Sequence, residues 1–213
     1  MSSQCYSDGN SGWGEEYASQ PLRALYAKHP EDVRTSYIVP LKDESGNVQQ
    51  KNGIDIYYVT KFSFQGGSPS LASPVMFRLS EMYLNKAEAE AKLGQTAAAL
   101  GDVDMIRKNR GLQASLYNGV VPTGMTLLGT VLQERRLELA FEGHRTYDVY
   151  RNKLSMNRTY WGYHLPGLKE SDINLRVDPA NYACMTIPYT TPNISYYIPQ
   201  AEILSNSLAT QNP

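Results

Sequence analysis

MFRLSEMYLNKAEAEAKLGQTAAALGDVDMIRKNRG, Met76 to Gly111, decides the fold. Its first half, Met76 to Leu93, has helix formers throughout. Leu79, Met82, Tyr83, Lys86, Ala87 and Glu90 fall three or four residues apart, the spacing of a helical face. Gly94 stops this helix, Thr96 reads as the N-cap of a second over Ala97 to Asn109, and Gly111 stops that one. Ala97, Ala98 and Ala99 allow the second helix to lie close against the first. The spacing predicts a helical hairpin with a very short connection.

Outward from the hairpin the patterns change. Gln65 to Pro74 is a run of breakers. Before it, Ser36 to Leu41 and Ile54 to Phe62 are β-branched and aromatic, with turn signals at Asp43 to Asn47 and at Asn52-Gly53, so a small antiparallel ribbon is expected. Residues 1 to about 35 are loop-rich, with one short helical pattern in which Pro21 precedes Leu22, Leu25 and Tyr26. After the hairpin, Thr126 to Phe141 reads as a third helix with Leu128, Val131, Leu132 and Leu139 on its apolar side. Gly143 breaks it, Arg145 to Arg151 resumes as helix, and regular pattern fades from Asn152 until a short helix start at Pro199. The expected class is mainly α, with tetratricopeptide-like helical hairpins, long irregular loops and a small antiparallel β-ribbon. The expected segments of one domain are a loop-rich part with the ribbon (1–75), a helical core (76–151) and an aromatic, loop-rich end (152–213). Arg78 to Gly111 has the length of one tetratricopeptide repeat, and one repeat cannot bury its apolar faces without stacked neighbours.

Composition narrows the function. A formal charge of −1 over 213 residues gives no global attraction for nucleic acid, and no Lys/Arg run supplies one locally. Cys5 and Cys184 are too few for a disulfide framework or a metal cluster, and His29, His144 and His164 have no metal-ligand spacing. No metal and no cofactor is expected. No stretch is long and apolar enough to span a membrane. The polar, glycine-rich start lacks the pattern of a secretory signal and reads as a cut inside a longer chain. Asn157 and Asn193 sit in glycosylation triplets, which matter only in a eukaryotic secretory host.

The most charged stretch is ERRLELAFEGHRTYDVYR, Glu134 to Arg151. It is either catalytic, with Glu138 and Glu142 as paired acids, or an ion-paired structural hub of Arg135, Glu138, Glu142, Arg145, Asp148 and Arg151. Two acids at i,i+4 on one helix cannot easily flank a substrate bond, as a retaining glycosidase needs with carboxyls about 5 Å apart. Arg135 and Arg145, three residues to either side, would keep both acids ionised, the reverse of what a general acid requires. The hub reading is preferred and no catalytic residue is assigned; no nucleophile motif or phosphate loop is present.

Tyrosine is over-used: 16 residues against 4 Phe and 2 Trp. Flat rings with a polar handle suit stacking on the apolar faces of sugars, or the edge of a core. Trp13, flanked by glycines, and the Tyr160, Trp161, Tyr163 cluster are the candidate carbohydrate platforms. The bland alternative is that these rings pin loops to the scaffold.

Four blocks occur in a telling order: RLSEMYLNKAEAEAKLG (Arg78 to Gly94), IRKNRGL (Ile106 to Leu112), ERRLELAFEGHRTYDVYR (Glu134 to Arg151) and IPQAEILSN with a terminal TQNP (Ile198 to Pro213). They resemble the signature blocks of the SusD/RagB family, the nutrient-binding surface lipoproteins of Bacteroidetes. The resemblance covers Pro74 to Pro213 well and the first third loosely. It implies a non-catalytic protein at the extracellular face of the outer membrane. Such a protein binds glycans, or sometimes peptides, for a SusC-like TonB-dependent transporter. It also implies that this is a C-terminal portion, with the N-terminal half of the same protein, which would carry the lipid anchor, as a further partner. The family's ligand loops differ among members, so the resemblance assigns no binding residue. The alternatives are a helical-repeat module that binds protein and no sugar, and a glycoside hydrolase.

Overall fold

The computed structural model describes residues 18–51, 54–62, 65–68, 71–73, 75–157, 186–191, 194, 198–206, 208 and 210–211. The chain divides into two compact units, residues 1–144 with 160–170, and residues 145–159 with 171–213.

The first unit is built on the predicted hairpin. Helix α1 (Gln20–Tyr26) precedes it, and the hairpin is α2 (Leu79–Lys92) and α3 (Thr96–Lys108), with α4 (Leu127–Glu138) packed across both. Ala87, Ala99, Val103 and Val131 form one buried cluster where the three helices meet, and Leu84, Ile106 and Leu139 form a second. Small residues at 87 and 99 permit the close approach that the alanine run predicts. The turn is tighter than expected. The N–H of Gln95 donates to the carbonyl of Glu90 and Gly94 takes a left-handed φ of 73°, so Thr96 lies inside α3 and is not its cap. Thr126 does cap α4, accepting a hydrogen bond from the N–H of Gly129 at 3.0 Å.

The buried face of α2 overlaps the stripe read from the sequence only in part, at Ala87 and the half-buried Tyr83 and Glu90. Leu84, Ala87 and Glu88 face inward, whereas Leu79, Met82 and Lys86 are exposed. Two sets of residues at helical spacing exist on this helix, and only packing decides which is covered.

A short 3-10 helix, Val33–Tyr37, leads into the ribbon. Strand β1 (Ile38–Pro40) pairs antiparallel with β4 (Tyr57–Val59), and β2 (Gln50–Lys51) pairs with β3 (Ile54–Asp55). The single strand expected over Ile54 to Phe62 is therefore split. At Ile56 the partner changes: its N–H donates to Gln49 and its carbonyl accepts from Leu41. Gly111, just past α3, packs against the segment at Glu31 and Val33 where the 3-10 helix begins. It has a φ of 86°, and a Cβ there would come within 2.6 Å of the Glu31 carbonyl oxygen, so only glycine fits this crossing.

In the second unit α5 (His144–Arg151) is followed by a two-residue ladder, β5 (Met156–Asn157) with β6 (Thr186–Ile187), which no sequence pattern announces. A short α6 (Gln200–Ser205) begins after Pro199, as expected. The side-chain amide of Gln211 ties down the approach to it, bonding both the N–H and the carbonyl of Ile198.

Candidate functional site

The dominant polar feature of the first unit is a buried array of charges, and it forms where α4 ends. Arg34 is fully buried. Its Nε and Nη2 grip the Asp32 carboxylate at 2.9 and 2.7 Å, while Nη1 meets Glu134 at 2.7 Å and Glu138 at 3.1 Å. On the other side Arg107 donates to Glu134 at 3.0 Å and stacks on the ring of Tyr117. Arg110 holds Glu138 with two hydrogen bonds of 3.0 and 2.7 Å. Such forked pairs carry geometric specificity as well as charge.

The array continues past the helix end. Arg78, just ahead of α2, bonds Glu138 and, at 2.8 and 3.0 Å, Glu142. Lys61, at the exit of the ribbon, pairs with Glu142 and donates to the carbonyls of Glu138 and Ala140, both at 2.9 Å. These two cations occupy the place where an α-helix leaves its last carbonyls unsatisfied and carries partial negative charge. Phe141 there adopts a left-handed φ of 67°, and its ring packs beside Ala18 and Val59.

Burial alone would raise the Glu138 carboxyl. The hydrogen bonds from Arg110 and Arg78 outweigh it and hold the group at about 2. Burial likewise opposes ionisation of Glu142, and the bonds from Arg78 and Lys61 again win, keeping it below the usual carboxylate range. Burial pushes the Lys61 ammonium down, with Glu142 offsetting only part of that effect. Neither glutamate can supply a proton near neutral pH, so this pair is unsuited to general acid catalysis.

The structure distributes the predicted charged residues differently from a single helix surface. Glu138 and Glu142 meet partners between 28 and 104 residues away, not their neighbours in the helix. Arg135 turns to α2, reaching Asn85 at 2.7 Å and Glu88 at 3.6 Å. Asp148 pairs with Arg151 at 2.7 Å in the second unit, where Arg145 is an exposed residue on the same helix that also feels the Asp148 charge. Local spacing does not single out Asp32, Arg34, Lys61, Arg78, Arg107, Arg110 or Glu134 as members of the array. A signal for some exists: Arg78, Arg107, Arg110, Glu134, Glu138 and Glu142 all sit inside the quoted blocks. Trp13, Tyr160, Trp161 and Tyr163 lie outside the described residues, as do Cys5, Cys184 and His164. Among the described residues no group of acidic, histidine or cysteine side chains could hold a metal ion, and no helix is long and apolar enough to cross a membrane.

Both the sequence and the fold have known relatives. A SusD-like protein of Formosa agariphila is 33% identical over 122 residues, covering 48% of this chain and 24% of its own length. The crystal structure of a SusD superfamily protein from Bacteroides thetaiotaomicron matches 92% of the chain with a TM-score of 0.66 at 30% identity. A putative sugar binding protein from Bacteroides vulgatus matches the same share with a TM-score of 0.66 at 29% identity. The chain spans 40% and 38% of these two structures. The SusD family model matches residues 6–213. By sequence and by fold, this chain belongs to the SusD family.

Proposed function

We propose that the protein binds glycans at the cell surface, without cleaving them, and delivers them to a SusC-like TonB-dependent transporter of the outer membrane. Membership of the SusD family, together with likeness to a putative sugar binding protein, is the observation that carries this reading. In it, the 213 residues are the C-terminal part of a longer protein whose N-terminal half bears the lipid anchor. No metal or cofactor takes part. Capture works through stacking of sugar rings on Trp13, Tyr160, Trp161 and Tyr163, with hydrogen bonds to the hydroxyls. The charge array serves as scaffold, since its glutamates are committed to guanidinium partners and held ionised.

The test is electrophoresis through gels containing soluble polysaccharides, using the complete protein. The unmodified protein is retarded, and Trp13→Ala or Trp161→Ala weakens the retardation while far-UV circular dichroism stays unchanged. Normal retardation of both variants removes these sites. Absence of retardation by every polysaccharide, with stable capture of the transporter, replaces the reading with a protein-interaction module, which the exposed row Leu79, Met82 and Leu93 favours. Sugar release from a polysaccharide, abolished by Glu138→Gln, replaces it with a hydrolase.

A further inference from the structure

Arg34, Arg78, Arg107 and Arg110 each hold at least one carboxylate. Arg23 of α1 is different: among the described residues no carboxylate or carbonyl accepts from it. Its guanidinium lies over the ring of Tyr57 on β4, 4.2 Å from the ring centre. Arg23 is half-buried, and its Nε is sealed from solvent without an acceptor, so the two terminal nitrogens are the accessible ones. The hydroxyl of the half-buried Tyr57 likewise has no partner among the described residues. A guanidinium drawn partly out of water normally brings its acceptors with it. Here they are missing, although the stack is held rigidly from both sides. Leu22 and Tyr26 fix α1 in the core, and the Tyr26 hydroxyl donates to the carbonyl of Leu137 at 2.7 Å. Tyr57 is fixed by its place in the ladder opposite Pro40. Stacking restrains the guanidinium plane, so its outer edge keeps the terminal N–H donors in one orientation. Such a fork is matched by two oxygens of a single anionic group. A formal charge of −1 gives no pull on a polyanion from a distance, so a preference for anions has to come from a local group of this kind.

We propose that Arg23, held on the ring of Tyr57, is a subsite for an anionic substituent of the bound glycan, a uronate carboxylate or a sulfate ester, so that the substrate is an acidic polysaccharide. This deepens the proposed function by naming the substrate class, and it rests on the reading that the protein binds glycans. Both substituents offer the fork a pair of charged oxygens, and the test separates them.

The experiment is affinity electrophoresis of the complete protein through gels that hold uronate polymers (polygalacturonate, alginate, glucuronoxylan), sulfated polymers (carrageenan, fucoidan) or neutral ones (starch, arabinoxylan). Each acidic polymer is run beside its own carboxyl-esterified or desulfated form. The expected result is retention by an acidic polymer that weakens about tenfold or more in Arg23→Gln. Loss of retention on esterification assigns the carboxylate, and loss on desulfation assigns the sulfate. Lys28→Gln, which removes an exposed and unpaired charge away from the stack, leaves retention unchanged. Circular dichroism checks the fold of each variant. Should Arg23→Gln fail to fold, Arg23→Lys carries the test, since it keeps the charge and loses the fork, with a several-fold loss expected. Acidic-polymer retention that the Arg23 variants leave unchanged overturns the proposal. So does an equal loss from Lys28→Gln, which assigns the attraction to charge in general. Retention by neutral polymers alone overturns it and leaves the uptake reading standing, whereas retention by no polymer removes the uptake reading and this inference with it.

Discussion

Glu138→Gln tests the charge array at its centre. The substitution keeps the shape of the side chain and removes the charge that Arg34, Arg78 and Arg110 share. It also turns an amide N–H toward guanidinium donors. Breaking a buried ion pair from one side costs about 3–5 kcal/mol. A second route gives a similar figure. The carboxyl moves from an ordinary 4.5 to about 2 on folding. At about 1.4 kcal/mol per pH unit, that difference is about 3 kcal/mol of stability at neutral pH. The sign follows from the direction. A depressed carboxyl contributes fully above its unfolded value of 4.5 and loses the contribution as pH falls toward 2. Urea unfolding followed by circular dichroism at 222 nm, at several values between pH 7 and pH 2.5, measures both variant and parent. The expected gap is about 3–5 kcal/mol from pH 7 down to pH 5, narrowing by about 3 kcal/mol on approach to pH 2. Acids outside the array titrate alike in both proteins and cancel from the gap. A gap below about 1 kcal/mol at pH 7, or one that does not narrow, refutes the reasoning.

Three further substitutions follow from the same geometry. Arg34→Lys keeps the charge but loses the fork that spans Asp32, Glu134 and Glu138, and is expected to cost about 3 kcal/mol or more by urea unfolding. Gly111→Ala meets both a left-handed backbone and the Glu31 carbonyl, so a loss of about 1–3 kcal/mol is expected in thermal unfolding. Thr126→Ala removes the bond to the N–H of Gly129 and should cost about 1 kcal/mol, with Thr126→Ser restoring most of it in the same assay.

The parts of the fold that are legible in the sequence are those set by local chemistry. The hairpin is readable because helix formers run unbroken to Gly94 and resume at once. The helix start at Pro199 obeys a rule that involves only a few neighbouring residues. What is not legible depends on contacts distant in sequence. Glu138 has a helix neighbour of the right sign three residues away at 135, and local spacing selects it. Its partners in space are Arg34, Arg78 and Arg110, between 28 and 104 residues away. The strand break at Ile56 comes from a change of partner, which no property of Ile56 encodes. The exposed row of α2 is as regular as its buried face, so periodicity cannot rank them. The blocks that carry the family resemblance read as separate helices. In space several of them supply the two signs of one array, with Arg78, Arg107 and Arg110 opposite Glu134, Glu138 and Glu142.

The end of α4 enters the charge balance of the array. The cations are Arg34, Lys61, Arg78, Arg107 and Arg110, and the acids are Asp32, Glu134, Glu138 and Glu142, so one positive charge is in excess. The carbonyls of Glu138 and Ala140, turned toward Lys61, supply the partial charges that compensate it. The helix terminus thus acts as a fifth anion with no titrating group. A continuous helix through Gly143 would engage those carbonyls in its own next turn and strand Lys61 in the interior with less compensation. The interruption of α4 is therefore an electrostatic requirement as much as a change of direction.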